Sequence, residues 1–236
     1  MKTKRIFNLV SLFMNMLVIM FTVYAMVYNF RTDIVQNDAW FGFRGFKCLR
    51  FFTVLSNVYA AIACGIMLFF NAKNIIGDEY DFPLWASVVK FSATAAVSLT
   101  FVTVVFFLAP YAVFYGKSYF SLFTNNNFFM HFLSPVLCIA STLVFERSEP
   151  LGFKRTVFGV LPAVAYSLVY TPLVIIGEEN GGWPDFYGFT FGGNYIITPF
   201  VVIGIYAAAF AISVLLVKLK AVFAKKIAVE PSESAE

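Results

Sequence analysis

The chain has 236 residues and a net charge of +4, with 60% of its residues apolar and only 13% charged. That balance leaves too little polar surface for a water-soluble globule and points to a polytopic integral membrane protein. The excess positive charge lies beside apolar runs, where anionic lipid headgroups sit, so it implies membrane lipids as neighbours and no nucleic-acid partner.

A membrane-spanning helix needs about 20 apolar residues at about 1.5 Å rise each. Six windows meet that length, at roughly 6 to 30, 51 to 70, 85 to 108, 128 to 145, 156 to 176 and 195 to 217. The first follows Lys2, Lys4 and Arg5, as the apolar core of a signal peptide would, but its length and the lack of a small-x-small cleavage site before Arg31 favour a retained span. Runs this long and unbroken exclude the short alternating strands of a barrel. The expected fold class is all-α, a bundle of six transmembrane helices forming one domain over residues 1–229, with the polar EPSESAE segment at 230–236 as a disordered tail.

Lysine and arginine bias sets orientation. With the amino terminus inside, the inner set is Lys2, Lys4, Arg5, Lys73, Arg147, Lys154, Arg155, Lys218, Lys220, Lys225 and Lys226, against Arg31, Arg44, Lys47, Arg50 and Lys117 outside. Both termini are therefore expected in the cytoplasm. The first outer loop carries Trp40, Phe41, Phe43 and Phe46 among basic residues, which suits a segment lying in the interface. The last outer loop, EENGGWPDFYGFTFGGN at 178–194, is rich in glycine and aromatic residues and reads as a cap over the outer mouth of the bundle.

Polar residues inside the spans are few. Asn8 and Asn15 share a helix face and read as interhelical glue. Lys90 lies about 8 Å inside the third span, close enough for its stem to snorkel to the inner headgroups. Pro135, Pro162, Pro172 and Pro199 are expected to kink or end helices. Cys48, Cys64 and Cys138 show no metal-ligand or paired-disulfide spacing and read as small packing residues, and neither metal nor cofactor is expected.

Two clusters differ from these scattered positions. Thr53, Ser56 and Asn57 share one helical surface at the outer end of the second span, and Asn127, His131 and Ser134 show the same spacing at the outer end of the fourth. Both spans enter from outside, so Thr53 and His131 lie at similar depth. A hydroxyl and the sole imidazole of the chain at matched depth suggest nucleophilic catalysis, with His131 as base for Thr53. Asn57, Ser56 or a backbone amide would hold an oxyanion, Ser134 is a further polar candidate on the histidine stripe, and Asn127 or Asp185 would orient the imidazole. The bland alternative has the hydroxyls bonded to their own helix and His131 packed on an aromatic neighbour.

FFTVLSN followed by NNNFFMHFLSP resembles the androgen-induced-gene and androgen-dependent TFPI-regulating family with its bacterial relatives. The resemblance covers the span number and those two short motifs. It implies a multi-pass intramembrane hydrolase with Thr53 as nucleophile and His131 as base, cleaving fatty acid esters of hydroxy fatty acids or similar lipid esters. Pro135, four residues after the histidine, matches the bacterial pattern, which implies a bacterial inner membrane. The animal motif carries an acidic residue shortly after the threonine, where this chain has Ser56 and Asn57. Three other readings stand beside hydrolysis: acyl transfer to a lipid acceptor by the same residues, a small transporter, and a non-enzymatic scaffold. A transporter predicts polar residues continuing inward, whereas AAIACGIMLFF at 60–70 is almost entirely apolar.

Overall fold

The computed structural model describes residues 2–31, 45–77, 81–146, 148, 151–190 and 192–229. Trp40, Phe41 and Phe43 of the first outer loop and the 230–236 tail lie outside the described residues. Six helices are long and apolar enough to cross a membrane: α1 (Lys4–Phe30), α2 (Phe52–Gly77), α3 (Leu84–Phe114), α4 (Asn126–Phe145), α5 (Phe153–Ile176) and α6 (Thr198–Ala224). This is the all-α, six-helix membrane bundle that the apolar windows predict. Lipid offers the backbone no hydrogen bonds, so each run satisfies its own amides by coiling. Six crossings bring Lys4 and Ala224 to one face, called inner below after the charge bias.

α3 is the axis of the bundle. Every residue from 91 to 100 is buried, and the segment FSATAAVSLT is dominated by small side chains. Small residues let neighbouring backbones approach where no hydrophobic force draws helices together in lipid. α2, α4, α5 and α6 all pack on it, while α1 closes the ring between α2 and α4. α5 and α6 cross closely at Gly159, where a Cβ would stand 2.1 Å from Ser213 Oγ and 3.0 Å from Ala95 Cβ.

The ring is open between α2 and α5. There a groove of about 1110 Å³ runs from Phe52 and Trp183 at the outer end to Leu84 and Arg155 at the inner end, with α3 as its floor.

Prolines shape the outer ends of α3 and α4. A π-helical turn over Val104–Leu108 precedes Pro110, and another over Phe129–Leu133 precedes Pro135. Proline cannot donate to the carbonyl four residues back and its ring crowds that carbonyl, and a wider turn gives it room. Pro162 and Pro172 sit inside α5, and Pro199 lies in the first turn of α6, where its missing amide has no partner to lose.

The 178–190 part of the last outer loop folds as the cap its composition predicts. Tyr170 of α5 is fully buried and is surrounded by Trp183, Phe186, Tyr187 and Phe189, with ring centroids between 4.8 and 6.3 Å away. Asp185 organises the turn by accepting from Tyr170 Oη at 2.9 Å, the Phe189 and Thr190 amides at 2.9 and 2.7 Å, and Thr190 Oγ1 at 2.7 Å. Burial alone pushes the Asp185 carboxyl up, and these donors outweigh it, so its pKa lies below the usual carboxylate value. Gly182 is confined to glycine, because a Cβ there would meet the Leu173 carbonyl at 2.2 Å.

Candidate active site

Asn57 joins the two helices that carry the polar stripes. Its Nδ2 donates to the Thr53 carbonyl on its own helix at 2.8 Å and to the Met130 carbonyl of α4 at 3.1 Å. Met130 immediately precedes His131, and Thr53 lies one turn above Asn57, so α2 and α4 meet at the level of the candidate pair. Val54, Met130, Cys48 and Ala25 pack beside this contact.

His131 is 9% exposed and is held by a hydrogen bond from Nδ1 to the Leu122 carbonyl at 2.6 Å. The carbonyl can only accept, so Nδ1 carries the proton and Nε2 of the neutral ring is left as a base. Leu122 belongs to a short helical turn, Tyr119–Phe123, that roofs the histidine; Phe123 meets the imidazole edge-on at 6.3 Å. Tyr119 Oη donates to the Val105 carbonyl at 2.9 Å and pins the roof to the π-turn of α3.

The backbone thus takes the orienting role that the sequence assigned to Asn127 or Asp185. Asp185 spends its oxygens on the cap, and no described hydrogen bond of Asn127 reaches the imidazole; its amide donates to Thr124 O. Ser134 is fully buried in α4, and its Oγ has no hydrogen-bond partner among the described residues.

Thr53 faces a different neighbour from the one expected. It lines a cavity of about 100 Å³ with Thr100, Thr103 and Tyr187. The Phe52 amide donates to the Tyr187 hydroxyl oxygen at 2.9 Å. Burial pushes the Tyr187 pKa up to about 12, against the hydrogen bond from the Phe52 amide, so the hydroxyl keeps its proton at neutral pH. No hydrogen bond joins Thr53 to His131 among the described residues.

The oxyanion candidates also need correction. Both amide protons of Asn57 are committed to carbonyls, and Ser56 Oγ is engaged with the Thr53 carbonyl and Thr100 Oγ1, each at 3.0 Å. Tyr187, which the sequence reading missed, brings a protonated hydroxyl into the cavity beside Thr53. Its signal was there: an aromatic hydroxyl in a glycine-rich cap above the mouth of α2.

The cavity at Thr53 and the open groove share Phe52 and Tyr166 as walls, so the hydroxyl sits one side chain away from a lipid-facing cleft. Tyr166 Oη donates to the Arg50 carbonyl at 2.7 Å, which ties α5 to the entrance of α2.

A second polar centre lies in the inner half. Lys90 does not snorkel: it is 1% exposed, donates to Asn15 Oδ1 at 2.5 Å and Cys64 Sγ at 2.9 Å, and pairs with Glu146 Oε1 at 3.6 Å. Asn15 Nδ2 and Ser11 Oγ donate to the same carboxylate oxygen at 2.9 and 3.3 Å, so Asn15 is the interhelical glue its position predicts. The partner was missed because Glu146 stands one residue past the fourth apolar window.

No protein-family model matches the chain, and neither a curated protein nor a solved structure matches it. What fold and span pattern define is a multi-pass membrane protein built as a six-helix bundle.

Proposed function

We propose that the protein is an intramembrane lipid-ester hydrolase of the outer half of the membrane, with Thr53 as nucleophile and His131 as general base. One observation carries the reading: the Leu122 carbonyl holds Nδ1–H of the sole, buried histidine, which leaves a neutral Nε2 able to take a proton at the depth of Thr53. The Asn57 bridge to Met130 holds the two helices at that depth, and the groove between α2 and α5 gives a lipid substrate lateral access.

In the proposed reaction an ester enters from the groove past Phe52 and Tyr166, and its acyl chain stays in the apolar cleft. His131 Nε2 takes the Thr53 proton as Thr53 Oγ1 attacks the carbonyl carbon. The Tyr187 hydroxyl, in the same cavity, donates to the developing oxyanion. The protonated imidazole then delivers its proton to the leaving alcohol, and water, activated by the same nitrogen, releases the fatty acid. Substrate binding must close the gap between hydroxyl and imidazole, as is common where catalytic hydrogen bonds tighten only in the substrate complex. The resemblance of FFTVLSN and NNNFFMHFLSP to the threonine hydrolase family supports this chemistry and a bacterial inner membrane as its setting.

The test is labelling of the purified protein with a lipophilic fluorophosphonate, together with hydrolysis of a long-chain ester. Label mapped to Thr53, with activity falling by roughly a hundredfold or more in both Thr53→Ala and His131→Ala and no further in the double variant, is the expected result. Well-folded single variants with undiminished hydrolysis would end the proposal.

A further inference from the structure

Cys64 of α2 and Cys138 of α4 are both free and fully buried, and they belong to one packed core cluster. The Lys90 ammonium stands 2.9 Å from Cys64 Sγ, held there by Asn15 from α1 and Glu146 at the end of α4. The ammonium therefore singles out one of the two clustered sulfurs. We infer that Cys64 and Cys138 form a redox-active dithiol in the inner half of the membrane, with Cys64 as the attacking sulfur and a small hydroperoxide as its oxidant.

Packing alone accounts for small side chains at these positions, but not for an ammonium aimed at one of them. The charges around the sulfur point the same way. Lys90 from α3 and Lys220 from α6, both buried, stand with Glu146 at the inner end of α4, two cations to one carboxylate among the described residues. Beside such an excess a low-dielectric interior favours a negative charge at the sulfur over a neutral one. A cation within hydrogen-bonding distance stabilises the thiolate, the nucleophilic form of cysteine.

The chemistry closes without another partner. The Cys64 sulfur attacks one peroxide oxygen, forming an S–O bond as the O–O bond breaks, and the departing oxyanion takes up a proton to leave as water or an alcohol. The Cys138 sulfur then attacks Cys64, the S–S bond forms, and hydroxide leaves with the Cys138 proton as water. Two thiols are oxidised by two electrons and one hydroperoxide is reduced. The new bond would clamp α2 to α4 below the Asn57 bridge, and it requires nothing of the proposed hydrolase site.

The experiment uses the full chain in phospholipid nanodiscs with Cys48→Ser, so that the outer cysteine cannot contribute. Hydrogen peroxide, followed by denaturation and alkylation, is expected to remove both thiols and yield a Cys64–Cys138 linked peptide that dithiothreitol reverses. Cys138→Ser should trap Cys64 as a sulfenic acid that dimedone labels, and Cys64→Ser should leave Cys138 unlabelled. Lys90→Met should slow the loss of Cys64 by about tenfold, with Lys90→Arg restoring it. The single-cysteine asymmetry decides the matter even if Lys90→Met does not fold. Thiols that survive a dose consuming free cysteine, equal labelling of the two single-cysteine variants, or a disulfide between two copies would each overturn the inference.

Discussion

His131 owes its chemistry to a backbone atom. Because it is the only histidine in the chain, protein labelled with ¹⁵N-histidine gives one imidazole to read. The hydrogen bond to Leu122 predicts a proton on Nδ1 and none on Nε2 at neutral pH. A spectrum with the proton on Nε2 would remove the base from the proposed mechanism. No residue type encodes a carbonyl acceptor, which is why the sequence offered side chains, Asn127 and Asp185, for a role that the roof over His131 fills. Thr53 and His131 were legible as polar residues at matched depth; the partners on either side of them come from loops and are set by folding alone. Lys90 shows the same limit differently. Its depth suggested snorkelling because depth is counted along one helix, whereas Glu146 arrives from another. Lys90→Leu should cost roughly 3–5 kcal/mol in thermal unfolding, since it strands Glu146, and adding Glu146→Leu should recover most of that loss. Equal stability of Lys90→Leu and the parent would show that the pair is not formed.

Helices read more clearly than their neighbours do. Each of the six apolar windows became a span, since length and lipid solvation decide helix formation without reference to packing. That α3 is the axis was written in its serines, alanines and threonines, but composition does not say which neighbours come close. Gly159 and Gly65 separate the two kinds of helical glycine. Gly159→Val should destabilise by about 2 kcal/mol or more through the clash with Ser213, while Gly65→Ala, with nothing within 4 Å of the added carbon, should be neutral or stabilising. Matching penalties at both sites would contradict the α5–α6 crossing. The cap is the element most open to titration. Its Asp185 pKa is depressed, so the stability this carboxylate contributes is present above the unfolded value of about 3.9 and is lost as pH falls through the lower folded value. Asp185→Asn should therefore cost about 1–3 kcal/mol at pH 7 and shift melting little on acidification to pH 3, where the parent weakens. Tryptophan fluorescence of Trp183 reports the cap directly, through its contact with Phe186.

For the whole molecule, the charge bias and the even number of crossings make one joint prediction. Single cysteines at Ser118 and Gly181, in a background without the native three, should react with an impermeant thiol reagent added to intact cells, and one at Ser232 should not. Labelling at Ser232 alone would invert the bundle and move the proposed hydrolase site to the other leaflet. What no window or motif foretold is that the ring is open on one side, between α2 and α5. An opening is a relation between helices that are distant in sequence, and only the assembled bundle has it. The sequence-level objection to a transporter, the apolar inner half of α2, likewise weighs less once the inner charges are seen to come from α3, α4 and α6.

The π-turn at Phe129–Leu133 bears on how such a protein can change. One turn of α4 holds a residue more than an ordinary turn requires, so everything above it is rotated against everything below. Between the Asn57–Met130 contact and the core cluster that holds Cys64 and Cys138, α4 accordingly spends one residue more than α2 does. The bundle has two storeys on shared pillars, and the surplus residue acts as a swivel between them. Gain or loss of a single residue at that swivel would re-aim the imidazole while leaving the thiols and the buried charges below in register, which allows the upper storey to diverge over an unchanged foundation.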